Sequence, residues 1–253
     1  MIKILRLLMV SFVMTTIVSA DFTRVELGAG IWNSEAKGKV SYTASGVTAN
    51  DVSTQNSTNN GYLWALIKHP VPVVPNLRLE YASINTKGIA NGNFKNFTGA
   101  NNSPTELDMK QYDIIPYYNI LDNTAWITLD LGLDIKFMDT SYTVSGVTPV
   151  SGTGSTYSKS ELLPLPLIYT RLRFEVPSTE LGFEADAKFI KYSSSTVYDA
   201  RLKVDYTLDM IPVIQPALEL GYRIQKYDID EADLEGKADL EFSGFYFGAM
   251  IRF

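Results

Sequence analysis

Residues suited to acid–base chemistry are sparse in this chain of 253 residues, which has one histidine and no cysteine. His69 opens a proline-rich segment, residues 69–75, between two predicted strands. A general base needs a second group that orients it, and no carboxylate is evident beside His69. We therefore predict that His69 is a turn residue and that the chain is not an enzyme, with no catalytic or cofactor-binding residue. The absence of cysteine excludes disulfides and thiolate metal sites.

An acidic stretch at residues 228–239 is the strongest candidate for metal binding. Hard cations take carboxylate oxygens as ligands, but the order of Asp, Gly and Glu of a calcium loop is absent. We predict a solvated loop without metal or cofactor, and a divalent-cation site remains the open alternative. The carboxylates are Asp228, Asp230, Glu231, Asp233, Glu235 and Asp239.

Other charged side chains recur at every second position, with apolar side chains in between. In residues 125–137, Asp130 and Asp134 belong to one face, and Leu131 and Leu133 to the other. Alternation with period two predicts half-buried β-strands. Opposite charges share a face in several segments, and this suggests paired charges. The pairs are Arg78 with Glu80, Asp186 with Lys188, and Arg201 with Asp205.

We predict ten such strands and an all-β fold. They span about residues 22–33, 61–68, 76–85, 107–120, 125–137, 161–175, 181–189, 198–208 and 218–225, with a last strand ending at residue 253. Several run for about 10–14 residues, longer than is usual in soluble proteins, and their apolar faces are nearly free of charge. A closed antiparallel transmembrane β-barrel fits this pattern, since only a closed sheet satisfies its own backbone in lipid. A soluble barrel with an apolar interior is the alternative.

In two predicted strands the apolar residues do not keep to one face, so a barrel of eight strands remains an alternative. In residues 107–120, Leu107 and Met109 fall on the face opposite to Tyr112 and Ile114. In residues 161–175, three leucines share a face with two arginines. We predict β-bulges that shift the facing by one residue. The prolines nearest to the required shifts are Pro116, Pro164 and Pro166.

The connections differ in length on the two sides of the predicted sheet. Three are long and rich in Ser, Thr, Asn and Gly, and they span residues 38–60, 86–105 and 138–159. The connections on the other side are short turns. Long outer loops and short periplasmic turns are typical of outer-membrane barrels. His69 would then lie at the periplasmic end.

The first twenty residues have the pattern of a secretory signal peptide. Lys3 and Arg6 precede an apolar run, residues 7–18, and Val18-Ser19-Ala20 forms a small-residue cleavage site. The apolar run is too short for a comfortable membrane helix. We predict a cleaved signal at residues 1–20 and a single domain at residues 21–253.

The last strand ends in Phe253, with apolar residues at alternate positions before it. Together with the signal peptide and the alternation, this resembles the small bacterial outer-membrane β-barrel proteins of uncharacterised function. The resemblance covers the whole mature chain. It implies insertion into the outer membrane by a machinery that reads the C-terminal strand, and contact with membrane lipid and lipopolysaccharide.

The resemblance leaves several roles open. We predict a monomer with a structural, binding or narrow-channel role; a small-solute porin or a surface enzyme is the alternative. Surface proteases and lipid-modifying enzymes of this class use a His near the outer rim, which this sequence does not offer. Long inward side chains favour a plugged or very narrow pore, because buried charges need partners. These are Arg24, Arg78, Lys136, Lys203 and Arg223. A net charge of −6 without a basic block disfavours nucleic acid.

Overall fold

The computed structural model describes residues 23–44, 47–53, 57–71, 73–151, 153–208, 214–231 and 236–253. The predicted signal peptide at residues 1–20 lies outside these ranges. The described residues include no helix of the length and hydropathy that a membrane-spanning helix needs.

The described residues form an all-β fold dominated by one closed antiparallel sheet. Ten strands build the barrel, and they confirm the predicted fold class and count. They are β1 (Arg24–Ala44), β3 (Thr58–Lys68), β4 (Asn76–Gly92), β6 (Ala100–Thr124), β7 (Ile127–Ser145), β9 (Thr156–Glu175), β10 (Leu181–Tyr192), β11 (Ser195–Thr207), β12 (Gln215–Glu231) and β13 (Gly236–Arg252). An additional strand, β2 (Val47–Ser53), pairs with β1 and β4 beyond the end of β3. Two short strands, β5 (Phe97–Thr98) and β8 (Thr148–Pro149), form a separate pair.

The first and last strands close the barrel. β1 and β13 are antiparallel from Glu26 opposite Arg252 to Tyr42 opposite Gly236. Beyond this ladder, the amide of Phe253 donates to the carbonyl of Val25 at 2.9 Å, and the amide of Val25 donates back at 3.3 Å. Closure leaves neither terminal strand with an unpaired edge.

Two ends of the barrel are distinguished by their connections. At the turn end, short connections follow β3, β6, β9 and β11, and the chain termini of the barrel lie there too. At the loop end lie β2, the β5–β8 pair and the turn after β10.

The middle of the barrel is apolar outside and charged inside. On β7, Leu131 and Leu133 are 45% and 61% exposed, whereas Asp130, Asp134 and Lys136 are fully buried. This is the reverse of a soluble barrel, in which burial of apolar side chains drives folding. The outward apolar side chains therefore form a band whose exposure to water would be unfavourable. We call it the apolar band.

The polarity inverts toward the loop end. Past Phe137 on β7, Asp139 points outward and is exposed, whereas Met138 and Val144 are buried inside. The three segments predicted as long loops are therefore largely strand: residues 38–60 contain β2 and parts of β1 and β3, residues 86–105 contain parts of β4 and β6, and residues 138–159 contain parts of β7 and β9. The sequence predicts loops there because the outward-facing side chains of these strand segments are polar.

The predicted bulges at the ambiguous strands are wrong. β7 and β9 pair in one register past Pro164 and Pro166, and β4 pairs with β6 in one register past Pro116. The register shifts of β6 lie elsewhere, between Asn119 and Thr124 against β7 and at its loop end against β4. Of the ambiguous residues, Leu163 is 40% exposed, whereas Leu107, Met109, Leu165 and Leu167 lie in or against the apolar cluster inside the barrel. Those that are fully buried there are Met109 and Leu167.

Candidate functional sites inside the barrel

The largest group of polar side chains is a cluster inside the apolar band, which we call the lumen network. It contains nine buried cations and ten buried carboxylates. The half-buried Arg24 adds a tenth cation through its pair with Glu26. The cations are Arg78, Lys136, Arg171, Arg173, Lys188, Arg201, Lys203, Arg223 and Arg252. The carboxylates are Glu26, Glu80, Asp113, Asp130, Asp134, Glu184, Asp186, Asp199, Asp205 and Glu219. The charges balance, as burial requires.

Lys188 on β10 is the most heavily shared cation. Its Nζ lies 2.6 Å from the Oε2 of Glu80 across the lumen and also contacts the Oδ2 of Asp113. Asp134 and Asp199 follow at 3.8 and 3.9 Å. Both carboxylate oxygens of Asp134 are buried without a hydrogen bond. Lys188 therefore neutralises carboxylates from four other strands.

Arginines extend the network along the strands. Arg201 donates to Asp186 at 2.7 Å and to Glu80 at 2.5 Å. Arg171 bridges Asp130 and Glu184 at 2.6 and 3.0 Å. The contact of Arg201 with Glu80 crosses the lumen, whereas the other three link neighbouring strands, so the network ties adjacent strands together and joins opposite walls through Glu80.

The sequence predicted which charged side chains lie in the lumen network better than it predicted which ion pairs they form. Arg78, Lys136, Lys203 and Arg223 lie in it as predicted, and Arg24 lies half-buried at the turn end. The pair of Arg78 with Glu80 is present, with 2.5 Å between Nε and Oε1.

The two other predicted pairs are replaced by contacts between strands. Lys188 binds Glu80 rather than Asp186, and Asp205 binds Arg173 at 2.6 Å rather than Arg201. Lys188 reaches across the lumen and Arg173 reaches past β10 to β11, and alternation along one strand encodes neither contact.

Two tryptophans that the sequence analysis did not single out fill the space between the charges. Arg78 and Lys203 lie over the Trp64 ring, at 5.0 and 4.7 Å from its centroid. Arg223 lies over Trp32 at 5.0 Å. Cations are attracted to the negative ring face, more strongly where water is excluded.

The lumen is tightly filled at this level. The cavity bounded by Trp64, Arg78 and Arg201 holds about 10 Å³, about the room of one water molecule. A Cβ on Gly28 would lie 2.4 Å from the Nε1 of Trp64. On the loop side of the network, an apolar cluster continues the filling. Its buried members are Trp32, Ile84, Met109, Met138, Leu167, Val197, Tyr227, Phe242 and Tyr246.

His69 lies in the connection between β3 and β4 at the turn end, bonded to the backbone. Its Nδ1 accepts a hydrogen bond from the amide of Val71 at 3.2 Å, and its Nε2 lies 3.0 Å from the carbonyl of Pro75. Its own amide donates to the side chain of Asn76 at 3.0 Å. Both ring nitrogens are therefore engaged with backbone groups of the turn.

The acidic stretch 228–239 is split between β12 and β13. Lys237 lies 3.6 Å from Asp228 and 3.9 Å from Asp230, and Lys226 contacts Asp239. Asp233, Glu235 and the side chain of Glu231 lie outside what the structure describes. Among the described residues, no group of three or more His, Cys, Asp or Glu side chains could hold a metal ion.

A second cavity of about 400 Å³ opens at the loop end, outside the apolar band, and we call it the loop-end pocket. It lies between β1, β7, β9 and the segment that joins β4 to β6. Its aromatic lining consists of Tyr42, Phe94, Phe97, Tyr142 and Tyr157. Alternation alone gave no signal for it, since these rings lie in segments that read as polar loops.

A buried carboxylate anchors one wall of this pocket. Asp51 on β2 accepts a hydrogen bond from the hydroxyl of Tyr142 at 2.8 Å and from that of Thr105 at 3.0 Å. Burial raises the pKa of Asp51, although both hydrogen bonds oppose the rise. Burial and the neighbouring Asp51 charge raise the pKa of Tyr142. The tyrosine is therefore held as a hydrogen-bond donor.

Comparison with known proteins shows the fold. No protein-family model matches the sequence, and no curated relative matches it. The solved structures include the outer-membrane protease OmpT from Escherichia coli, with a TM-score of 0.53, 11% identity, and coverage of 93% of this chain and 97% of that one. Weaker matches include the outer-membrane protein AlkL (TM-score 0.36, 11% identity, 93% of each chain) and Neisserial surface protein A (0.26, 12%, 92% and 96%). The neighbours are bacterial outer-membrane β-barrel proteins.

Proposed function

We propose that this chain is an outer-membrane barrel protein with a closed lumen and a structural or binding role at the cell surface. It is neither a solute pore nor an enzyme. The single observation that carries the proposal is the lumen network, which fills an inside-out barrel with balanced charges.

The apolar band supports the membrane location. On β7 the outward apolar face runs over residues 129–137, which corresponds to roughly 20 Å at a rise of about 3.3 Å and a tilt of about 45°. An outer-membrane barrel carries an apolar band of about 25 Å. The longer strands and the loop end then project from the cell, and the short turns face the periplasm. Export by the signal peptide at residues 1–20 is part of the proposal.

The filled lumen argues against diffusion of solutes. A pore would need the buried cations to leave carboxylates such as Glu80 and Asp113, and unpaired buried charges are costly. The purified protein should therefore give no stable conductance steps in a planar lipid bilayer, where a general porin serves as positive control. Reproducible steps of large conductance would favour a porin function and contradict the closed lumen.

The position of His69 favours a non-catalytic role over a surface enzyme. A base near the outer rim would need to lie at the loop end, and His69 lies in a connection at the turn end. Its ring nitrogens are engaged with Val71 and Pro75. The barrel is proposed to act as a monomer, surrounded by membrane lipid and lipopolysaccharide.

The C-terminal strand is proposed to be the segment that the insertion machinery reads. Phe253 is 49% exposed beside the seam between β1 and β13. An outer-membrane machine could recognise this strand by strand addition. Phe253→Asp should lower the amount of folded protein in the outer membrane several-fold without blocking export, measured by fractionation and heat-modifiable gel mobility. Phe253→Tyr, which keeps the ring, is the matched control. A normal yield from Phe253→Asp would refute the recognition role.

A further inference from the structure

We propose that the loop-end pocket binds a saccharide ring. This gives the surface-binding role of the proposed function a ligand class, and it depends on that proposal only for the side of the membrane that the pocket faces. The pocket itself is defined by side chains outside the apolar band, so it can be tested on the purified protein.

The aromatic rings form a continuous row along the pocket. The centroids of Phe94 and Phe97 are 4.7 Å apart with 24° between the planes, and Phe97 lies 5.2 Å from Tyr157. Tyr42 continues the row at 6.4 Å from Phe94. Phe97 is buried and forms the floor, whereas the other three rings and Tyr142 are half-buried. Four half-exposed rings around one water-facing cavity are apolar surface that a ligand can cover.

Hydrogen bonds among its own residues hold the pocket in shape. The amide of Phe94 donates to the carbonyl of Phe97, and that of Val150 donates to the carbonyl of Asn96, both at 2.9 Å. The side chain of Asn93 accepts from the amide of Gly99, also at 2.9 Å. The hydrogen bond of Tyr142 to Asp51 fixes the opposite wall. A pre-formed site loses little conformational entropy on binding.

The polar part of the lining selects the class of ligand. Ser41, Asn96 and Thr140 line the cavity together with the rings, and the charged residues of the lining, Lys95, Lys159 and Glu161, carry both signs. Lys159 is paired with Glu161, so among the described residues of the lining Lys95 is the one cation in excess of the carboxylates, which is not the cationic cluster that a phosphate site needs. A purely apolar ligand would leave the polar groups unpaired.

A sugar ring satisfies both parts of the lining. Its C–H face can stack on the negative face of an aromatic ring, and its hydroxyls can exchange hydrogen bonds with the rim. The volume of about 400 Å³ lies within the range of small-molecule pockets. The sugar could be free or part of lipopolysaccharide, since the recognised chemistry is the same.

Binding can be measured by saturation-transfer NMR on the full chain in a detergent without a sugar headgroup. The probes are glucose, galactose, N-acetylglucosamine, maltose and lactose in one arm, and purified lipopolysaccharide in the other. We expect at least one saccharide to bind, and Tyr42→Ala and Tyr157→Ala each to weaken it about tenfold or more. Tyr157→Phe should bind nearly as well, because it keeps the ring. Tyr192→Ala, an 80% exposed tyrosine at the loop end, is the matched control and should change affinity less than twofold.

The two arms of the experiment distinguish a free sugar from a lipid-borne one. The experiment also distinguishes failure of this inference from failure of the proposed function. Variant-sensitive binding of soluble saccharides identifies a free sugar, and variant-sensitive binding of lipopolysaccharide alone identifies the lipid-borne one; both support the proposal. Absence of binding in both arms, or equal binding by all variants, overturns it, provided that heat-modifiable mobility shows each variant to be folded. A conducting protein that still binds saccharide through Tyr42 would overturn the closed lumen and leave this inference standing.

Discussion

Replacing Lys188 with methionine should destabilise the folded barrel by about 3–5 kcal/mol, the cost of breaking a buried ion pair by removing one partner. Methionine fills a similar volume, so the change removes charge rather than packing. Glu80 and Asp113 would lose the ammonium group that lies against both. Lys188, Glu80 and Asp113 are all buried, so bulk water does not solvate the carboxylates left behind.

The free energy of unfolding can be measured by urea titration of the protein folded in lipid vesicles. Lys191→Met is the matched control, because Lys191 lies three residues further along β10 and is exposed. The control should change stability by less than about 0.5 kcal/mol. Equal stability of the Lys188→Met variant and the wild type would show that the lumen charges are solvated, contrary to a closed lumen.

Leu131→Arg should destabilise the inserted barrel by about 2–4 kcal/mol or block insertion, because it places a charge on the lipid face near mid-membrane. Leu131 is 45% exposed on the outward face of β7. Ser141→Arg is the matched control on the same face of the same strand, beyond the apolar band, and should insert normally. Folding yield in vesicles and heat-modifiable mobility report both variants.

The neighbouring lumen position provides the reciprocal test. Asp130 is fully buried and accepts hydrogen bonds from Arg171 and Asn119. Asp130→Asn keeps the shape and leaves Arg171 paired with Glu184, so insertion should be far less affected than by Leu131→Arg. If Asp130→Asn blocked insertion and Leu131→Arg did not, the faces would be reversed and the barrel would be soluble.

The class of fold could be predicted because period-two alternation is a local property of the sequence. On β7, Leu131 and Leu133 alternate with Asp130 and Asp134, and the structure keeps each on its predicted face. The strand count followed in the same way. Alternation failed where the environment of the barrel changes along a strand. Met138 and Val144 continue the inward positions of β7, but their polar neighbours made the segment read as a loop.

The ion pairs within the barrel could not be predicted because they join different strands, some of them on opposite sides of the lumen. Alternation along β10 places Lys188 beside Asp186, two residues away, whereas Lys188 binds Glu80, which lies 108 residues away in sequence. A lumen that is charged over its whole length predicts bulges at the inward leucines of β6 and β9 and at Met109, and the apolar loop-end part of the interior removes the need for them. An available signal was that the apolar inward positions of β6, β7 and β9 all fall toward the loop end. The loop-end pocket depends on the pairing of β5 with β8, which two-residue strands do not reveal.

The most direct test of the membrane-spanning barrel uses the absence of cysteine from the natural chain. Single cysteines can be placed along β10: Ser194→Cys in the loop-end turn, Ala185→Cys on the outward face of the band, and Ser178→Cys in the turn-end connection. A membrane-impermeant maleimide should label Ser194→Cys on intact cells and Ser178→Cys only after the outer membrane is permeabilised. Ala185→Cys should react only after denaturation. Labelling of the folded Ala185→Cys variant by the aqueous reagent, as fast as Ser194→Cys, would contradict a barrel whose apolar band lies in the membrane.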